Sequence, residues 1–128
     1  MMRPIALLLG LSLCSCATAL LPPAALGHDV YFTLKNPTPR SIAALVDDCR
    51  GLAAIPDVVS LEAGIRAKDM KSERNDQLFQ VALHVVFSDR AAYDRYVIHP
   101  IHRALLDKWI AKIRTVRVFD SYPGQPTQ

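Results

Sequence analysis

The chain is poor in cysteine, in long apolar runs and in charge of a single sign. Its 128 residues include three Cys, five Gly and one Trp, and 15 Lys and Arg residues are scattered among 12 Asp and Glu residues. This mixture of charges argues against nucleic-acid binding, which needs basic residues concentrated on one surface. The apolar fraction of 51% excludes a disordered chain. The length allows one domain, with or without a leader.

The first 27 residues are predicted to be a leader. Arg3 precedes the apolar stretch Ile5–Leu13, which is the arrangement of a secretory signal peptide. The apolar character continues only to Leu21 and ends at Pro22–Pro23, whereas a membrane-spanning helix needs roughly 20 apolar residues. We therefore expect export followed by cleavage rather than a permanent membrane anchor.

Three processing sites stay open within this leader. The small residues of segment 25–27 favour a cleavage that leaves His28 first, and segment 17–19 is a similar site. Segment 13–16 resembles a bacterial lipobox, which would place a lipid on Cys16. The first two sites predict a periplasmic or extracellular protein. The third predicts a lipoprotein that contacts the membrane only through its lipid.

Cys49 is the single cysteine beyond the leader, because Cys14 and Cys16 both lie within it. A mature domain with one cysteine has no internal disulfide. A nucleophilic thiol needs an activating histidine or a helix N-terminus, and Cys49 lies near the predicted end of a helix instead. We interpret Cys49 as a small buried residue, with a nucleophile or an intermolecular bridge as the alternatives.

Apolar periodicity divides residues 28–121 into strands and helices. Alternation predicts strands at 29–35, 59–66, 78–87 and 115–120. Thr38–Pro39 begins a helix that ends near Gly51, and Ser88–Asp89 begins a second helical region that His99–Pro100 interrupts. This is the ferredoxin-like βαββαβ order of the α+β class, a four-stranded antiparallel sheet with helices on one face.

The sheet face away from the helices is predicted to be of mixed polarity. The third strand places Phe79, Val81, Leu83, Val85 and Phe87 on the core face, and Gln80, Ala82, His84 and Val86 on the other. A monomer would expose part of this apolar surface, so we expect either a dimer interface or a ligand cavity there. The charged segment 68–76 is predicted to be an exposed loop, and residues 122–128 a disordered tail.

Several segments, taken in order, resemble the stress-responsive α/β-barrel family, Dabb. They are residues 28–35, 55–64, 85–89, 96–102 and 116–120, of which the His-Pro-Ile-His sequence at 99–102 is the most specific. The resemblance covers residues 28–121. It implies that ferredoxin-like monomers pair as a homodimer, so that their two sheets close into a barrel around a cavity. Most members of the family have no assigned reaction.

The resemblance also suggests an acid–base pair. In one plant member, olivetolic acid cyclase, a Tyr and a His act together as an acid–base pair. By motif, Tyr96 and His102 match that pair, and His28 matches another His at the start of the first strand. A third-strand His of that enzyme is replaced by Val81. A His can take a proton from a carbon acid while a phenol donates to the resulting enolate. Alternatively, both residues have structural roles: His102 stabilises the turn at Pro100, and Tyr96 fills the core.

The remaining candidates carry weaker predictions. His84 is expected to be a ligand-binding residue if it faces a barrel cavity, and a dimer contact otherwise. His99 and His102 make half of a metal site, but no acidic partner stands at a matching spacing, so we predict no metal and no cofactor. Trp109 is predicted to lie in the core. A third possible function, haem-associated oxygen chemistry, rests only on analogy with related barrel proteins.

Two functions therefore stay open. The first is an exported homodimer without an assigned reaction that binds a small apolar or aromatic ligand in its barrel through His28, His84, Tyr96 and His102. The second is an acid–base enzyme of the polyketide-cyclase type, with Tyr96 and His102 as its catalytic residues. Neither function involves nucleic acid.

Overall fold

A computed structural model describes residues 21–126. Its elements follow the predicted order, with the second helical region divided in two. They are β1 (Leu26–Leu34), α1 (Pro39–Gly51), a 3₁₀ turn (Leu52–Ala54), β2 (Val58–Ile65), β3 (Val81–Phe87), α2 (Arg90–Ile98), α3 (Pro100–Trp109) and β4 (Ile113–Ser121).

The four strands form one antiparallel sheet in the order β2-β3-β1-β4, which confirms the predicted ferredoxin-like α+β fold. Alternate residues of the central strands face the helices and are buried, as Val30 and its cross-strand partner Leu83 show. Tyr31 and its partner Ala82 point to the opposite face. None of the helices within residues 21–126 covers this second face, which we call the open face.

Side-chain caps fix where the helices begin. Thr38 and the third helical residue form a capping box at the start of α1. The Asp89 carboxylate accepts a hydrogen bond from Ala92 N at 2.8 Å at the start of α2. His99 ends α2 and begins α3, where its Nδ1 accepts from Ile101 N at 3.2 Å. The predicted interruption at residues 99–100 is confirmed.

The core lies between the helices and the sheet. Cys49 is completely buried there, and burial together with the nearby Asp48 raises the pKa of its thiol to about 12. A neutral thiol is a poor nucleophile, so the prediction of a core cysteine is confirmed. Trp109 is also buried, and its indole Nε1 donates a hydrogen bond to Asp48 Oδ2 at 2.7 Å.

The third strand begins three residues later than predicted. The chain bends at Gln80, whose side-chain oxygen accepts a hydrogen bond from Leu34 N at 2.8 Å. The residues that precede this bend do not follow the alternation of the strand. Phe79 packs edge-on against Tyr31 on the open face, with ring centroids 5.0 Å apart. Its predicted place on the core face is therefore wrong.

The folded domain begins two residues before the predicted end of the leader. Ala25 and Leu26 are buried, and Leu26 pairs with Phe87 in the sheet. Residues 122–126, predicted to belong to a disordered tail, form a turn in which Gly124 lies against Pro22–Pro23. A Cβ atom at Gly124 would lie 2.9 Å from the Pro22 carbonyl oxygen. Both ends of the described segment thus lie at the same edge of the domain.

The predicted signal sequence and Cys16 lie outside the described residues. Within residues 21–126, no helix combines the length and the apolar character needed to cross a membrane.

Candidate functional site

A cavity of about 210 Å³ lies between α2, α3 and the helix-facing side of the sheet. It forms because the helices cover β4 incompletely. Val116 and Val118 pair with the buried Phe32 and Val30, yet both stay more than a third exposed. Most of the wall is apolar, and its polar groups come from His28, Tyr93, Tyr96 and His102.

His102 lies on the first turn of α3, with its ring at the cavity. Its Nδ1 lies 3.1 Å from the carbonyl oxygen of Val97 on α2. A carbonyl oxygen only accepts hydrogen bonds, so Nδ1 carries the proton and Nε2 keeps a lone pair. Burial lowers the pKa of the imidazole, and the neighbouring His28 lowers it further. His102 is therefore a neutral base near pH 7.

Tyr96 lies deeper, on α2. Its ring centroid is 4.6 Å from that of His102 and 4.8 Å from that of Phe87. Only 1% of the residue is exposed, and within residues 21–126 its hydroxyl makes no hydrogen bond. Burial raises the pKa of the phenol well above its usual value. Tyr96 thus keeps its proton and is available as a hydrogen-bond donor.

His28 lies on β1 at the same cavity. Its Nδ1 is 2.7 Å from Oδ1 of Asp120, and its ring meets the edge of Tyr93 at 5.2 Å between centroids. The carboxylate accepts, so Nδ1 donates and Nε2 remains for the cavity. Asp120 was not predicted as a site residue. It is identified only by the register of β1 with β4, which places Asp120 directly across from His28 and which the local sequence does not reveal.

His84 does not join these residues. It lies on the open face, where its Nδ1 is 2.6 Å from Asp29 Oδ1 and its ring meets Tyr31 edge-on. The sheet therefore separates His84 from His28, and the four predicted ligand-binding residues do not form one site. The reason is strand alternation, which sends adjacent residues such as His28 and Asp29 to opposite faces.

The open face has a concavity of its own, of about 540 Å³, between the sheet and the loop that follows β2. Its walls include Tyr31, Phe79 and Phe119, and it also holds an ion pair between Arg117 and Asp76.

His99 lies apart from the cavity, as a helix cap. In the part of the chain that the structure describes, no three His, Cys, Asp or Glu side chains meet in an arrangement suited to a metal ion.

Known proteins match this chain in sequence pattern and in fold. The family model of the stress responsive A/B barrel domain, Dabb, matches residues 26–123. A crystal structure of a Dabb family protein with a ferredoxin-like fold from Mesorhizobium loti is 30% identical, with a TM-score of 0.63. That match covers 77% of this chain and 96% of the other. Among curated proteins, no sequence matches.

Two further structures show the fold alone, because their sequences are less similar. A dimeric ferredoxin-like protein of unknown function from Thermobifida fusca is 18% identical, with a TM-score of 0.67, over 81% of this chain and 95% of the other. The hydroxynitrile lyase of Passiflora edulis is 16% identical, with a TM-score of 0.68, over 84% of this chain and all of the other.

The match to the family model extends from the first residue of β1 to just beyond β4, so it covers the whole sheet and all three α-helices. It spans well over half of the chain and includes His28, Tyr96, His102 and Asp120. The chain belongs to the stress responsive A/B barrel domain family.

Proposed function

We propose that the protein binds a small, mainly apolar molecule with one polar group in the cavity between α2, α3 and the sheet. The observation that carries the proposal is the convergence of His28, Tyr96 and His102 on one mainly apolar cavity. The Tyr96 phenol keeps its proton, so its hydroxyl can donate a hydrogen bond into the cavity. A ligand oxygen would accept that hydrogen bond.

The size and lining of the cavity set the ligand class. An apolar protein cavity of roughly 150 Å³ is large enough for benzene, so about 210 Å³ suits one substituted ring or a short branched chain. Apolar walls with a few convergent polar groups are typical of small-molecule sites, where the polar groups fix orientation. We therefore place the ligand beneath the helices and not in the barrel.

The open face is then free to form a homodimer interface, which we propose as its role. Phe119 is 55% exposed there, and its ring lies 5.9 Å from that of Tyr31. Ala82 and Val86 add apolar surface on the same face. Large exposed apolar patches of this kind mark interaction surfaces. The Thermobifida fusca structure of the same fold is described as dimeric, which supports this arrangement.

The binding proposal is tested with acetophenone, which has one ring and one carbonyl group. Isothermal titration calorimetry of the full chain should show saturable binding. Val118→Trp, at the partly exposed mouth of the cavity, should abolish it. Ile98→Trp is the matched control, because Ile98 is exposed on α2 and does not line the cavity. Equal binding by both variants would refute the assignment of this cavity.

A second candidate function is acid–base catalysis of the polyketide-cyclase type. The observation that favours it is the adjacent pair of Tyr96 and His102, in which His102 offers the lone pair of Nε2 and Tyr96 offers a proton donor. His102 would take a proton from a carbon next to a carbonyl group. The electron pair of the broken C–H bond would move into the enolate, whose oxygen would accept a hydrogen bond from Tyr96.

Proton exchange tests this step without knowledge of the natural substrate. Acetophenone in D₂O should exchange its methyl protons faster with the protein than without it, as measured by NMR. His102→Asn should remove the effect, because it deletes Nε2 while its amide nitrogen still reaches the Val97 carbonyl. An exchange rate that the protein does not change would reject catalysis and leave the binding proposal standing.

Export is also proposed, on the basis of the predicted signal sequence. Native and denaturing mass spectrometry of protein from a bacterial host would report the mature N-terminus, any lipid on Cys16, the dimer and any small molecule that co-purifies. A folded protein from the periplasm that retains Met1 would contradict cleavage of the leader.

A further inference from the structure

The two histidines of the cavity are held by partners of different charge. The Nδ1–H of His28 donates to the carboxylate of Asp120 at 2.7 Å, whereas the Nδ1–H of His102 donates to a neutral backbone carbonyl at 3.1 Å. A carboxylate stabilises an imidazolium by charge as well as by its hydrogen bond. An imidazolium at His28 would therefore have a charged partner, whereas one at His102 would have only a neutral carbonyl.

Among residues 21–126, the groups that face His28 include one charged side chain, Asp120. The groups that face His28 are Asp120 from β4, Tyr93 and Tyr96 from α2, and His102 from α3, while Phe87 of β3 is apolar. Both tyrosines are neutral near pH 7, because burial raises the pKa of each phenol. Asp120 is the single charge in direct contact with His28 among the described residues.

We propose that the cavity binds a weak organic acid, such as a phenol, an enol or a carboxylic acid, and that Nε2 of His28 accepts its proton. The O–H bond of the ligand breaks, an N–H bond forms on His28, and the electron pair stays on the ligand oxygen. The product is an anion beside an imidazolium that Asp120 holds in place. This inference rests on the proposed function and specifies the ligand class of the same cavity.

The other two polar groups suit this anion. The Tyr96 hydroxyl keeps its proton and can donate a hydrogen bond to the anionic oxygen. His102 stays neutral beside the new imidazolium, because a second positive charge in the same cavity would be unfavourable. Asp120 is half exposed, with a side-chain exposure of 49%. Its charge can therefore be removed without opening the core.

The test uses 4-nitrophenol, because its neutral and anionic forms absorb light at different wavelengths. It is added to the full chain at a pH where free 4-nitrophenol is mostly neutral. We expect the bound probe to show the spectrum of the anion. 4-Nitroanisole, which has the same ring but no acidic proton, should bind at least about tenfold more weakly, as expected for one lost charge-assisted hydrogen bond.

Asp120→Asn keeps a hydrogen-bond acceptor for His28 but removes the charge. In this variant we expect the bound probe to be neutral, with an affinity at least about tenfold lower. Asp107→Asn is the matched control, because Asp107 is exposed on α3 and away from the cavity. It should behave as the unmodified protein does.

The outcomes separate this inference from the proposal on which it rests. If the protein binds 4-nitrophenol in the neutral form, or binds 4-nitroanisole equally well, the cavity takes small rings but His28 does not accept a proton, and this inference is overturned. An anionic spectrum that persists in Asp120→Asn would overturn the role of the Asp120 charge. If neither probe nor acetophenone binds, the proposed function itself fails.

Discussion

The Nδ1–H of His102 donates a hydrogen bond to the backbone carbonyl of Val97 at 3.1 Å. Val97 lies in the last turn of α2 and His102 in the first turn of α3, so the bond bridges the break between the helices. The break itself follows from Pro100, which has no N–H to continue the helical hydrogen bonds. One imidazole therefore joins two helices through Nδ1 and faces the cavity with Nε2.

We predict that His102→Ala destabilises the protein. The change leaves the Val97 carbonyl without its partner, which costs about 1–3 kcal/mol, and it removes the ring that packs on Tyr96. For a domain of this size the melting temperature should fall by several degrees. His102→Asn should retain most of the stability, because its amide nitrogen can occupy the place of Nδ1. Identical melting curves for His102→Ala and the unmodified protein would contradict the bridging role.

Stability should also depend on pH through His102. Its pKa is lowered in the folded state by burial, so the unfolded chain binds the proton more readily. The contribution of His102 to stability is therefore fully present above its unfolded-state pKa of about 6.5. It is lost as the pH falls through its folded-state pKa. Urea unfolding between about pH 7 and pH 5 should show this loss, and a shallower one in His102→Asn. Equal slopes would indicate that other groups carry the dependence.

Tyr96→Phe should have little effect on folding and a large effect on binding. The ring that fills the core remains, and the deleted hydroxyl has no hydrogen bond to lose within the described residues. We expect a melting temperature within about a degree or two of the original, because no protein hydrogen bond is lost. Acetophenone affinity should fall about tenfold, the effect of one hydrogen bond to a ligand. A marked loss of stability would reveal a structural bond of the hydroxyl and support the core interpretation of Tyr96.

The fold was predictable because its periodicity is simple. Val30, Leu83 and the apolar stripe of α1 each follow a clear period. Thr38 and Asp89 are strong helix-capping residues, and Pro100 marks the break between the last two helices. The failure at Phe79 has a local cause. An alternating pattern continues through the bend at Gln80, although the strand does not, and sequence alone gives no indication of such a bend.

The site was predictable residue by residue but not as an arrangement. Motif resemblance identified His28, Tyr96 and His102, which share one cavity. His84 was grouped with them because the resemblance implied one barrel cavity, although alternation along the third strand already places His84 on the face away from the helices. The contact of His28 with Asp120 depends on the register of β1 and β4, two strands separated by nearly the whole domain. Such long-range pairing is set by packing and leaves no local pattern.

The beginning of β1 leads to a prediction about processing. Leu26 is buried and paired with Phe87, and Ala25 is buried as well. A chain that starts at His28 should therefore be less stable than one that starts at Leu21, by about 1.5–3 kcal/mol for the buried leucine alone. Urea unfolding of both chains measures the difference. Equal stability would restore the boundary after residue 27, whereas a large loss would favour processing at segment 17–19 or before Cys16.

The open face should govern the oligomeric state. Phe119 is 55% exposed there, so Phe119→Lys would replace an aromatic contact with a charge in the proposed interface, which is unfavourable even with Asp29 across from it in the sheet. We expect sedimentation velocity at micromolar concentration to show a dimer for the unmodified protein and a monomer for Phe119→Lys. Ile98→Lys is the matched control, because Ile98 is similarly exposed but lies on α2, away from the open face. A monomeric unmodified protein, or dissociation by the control alone, would overturn the assignment of this interface.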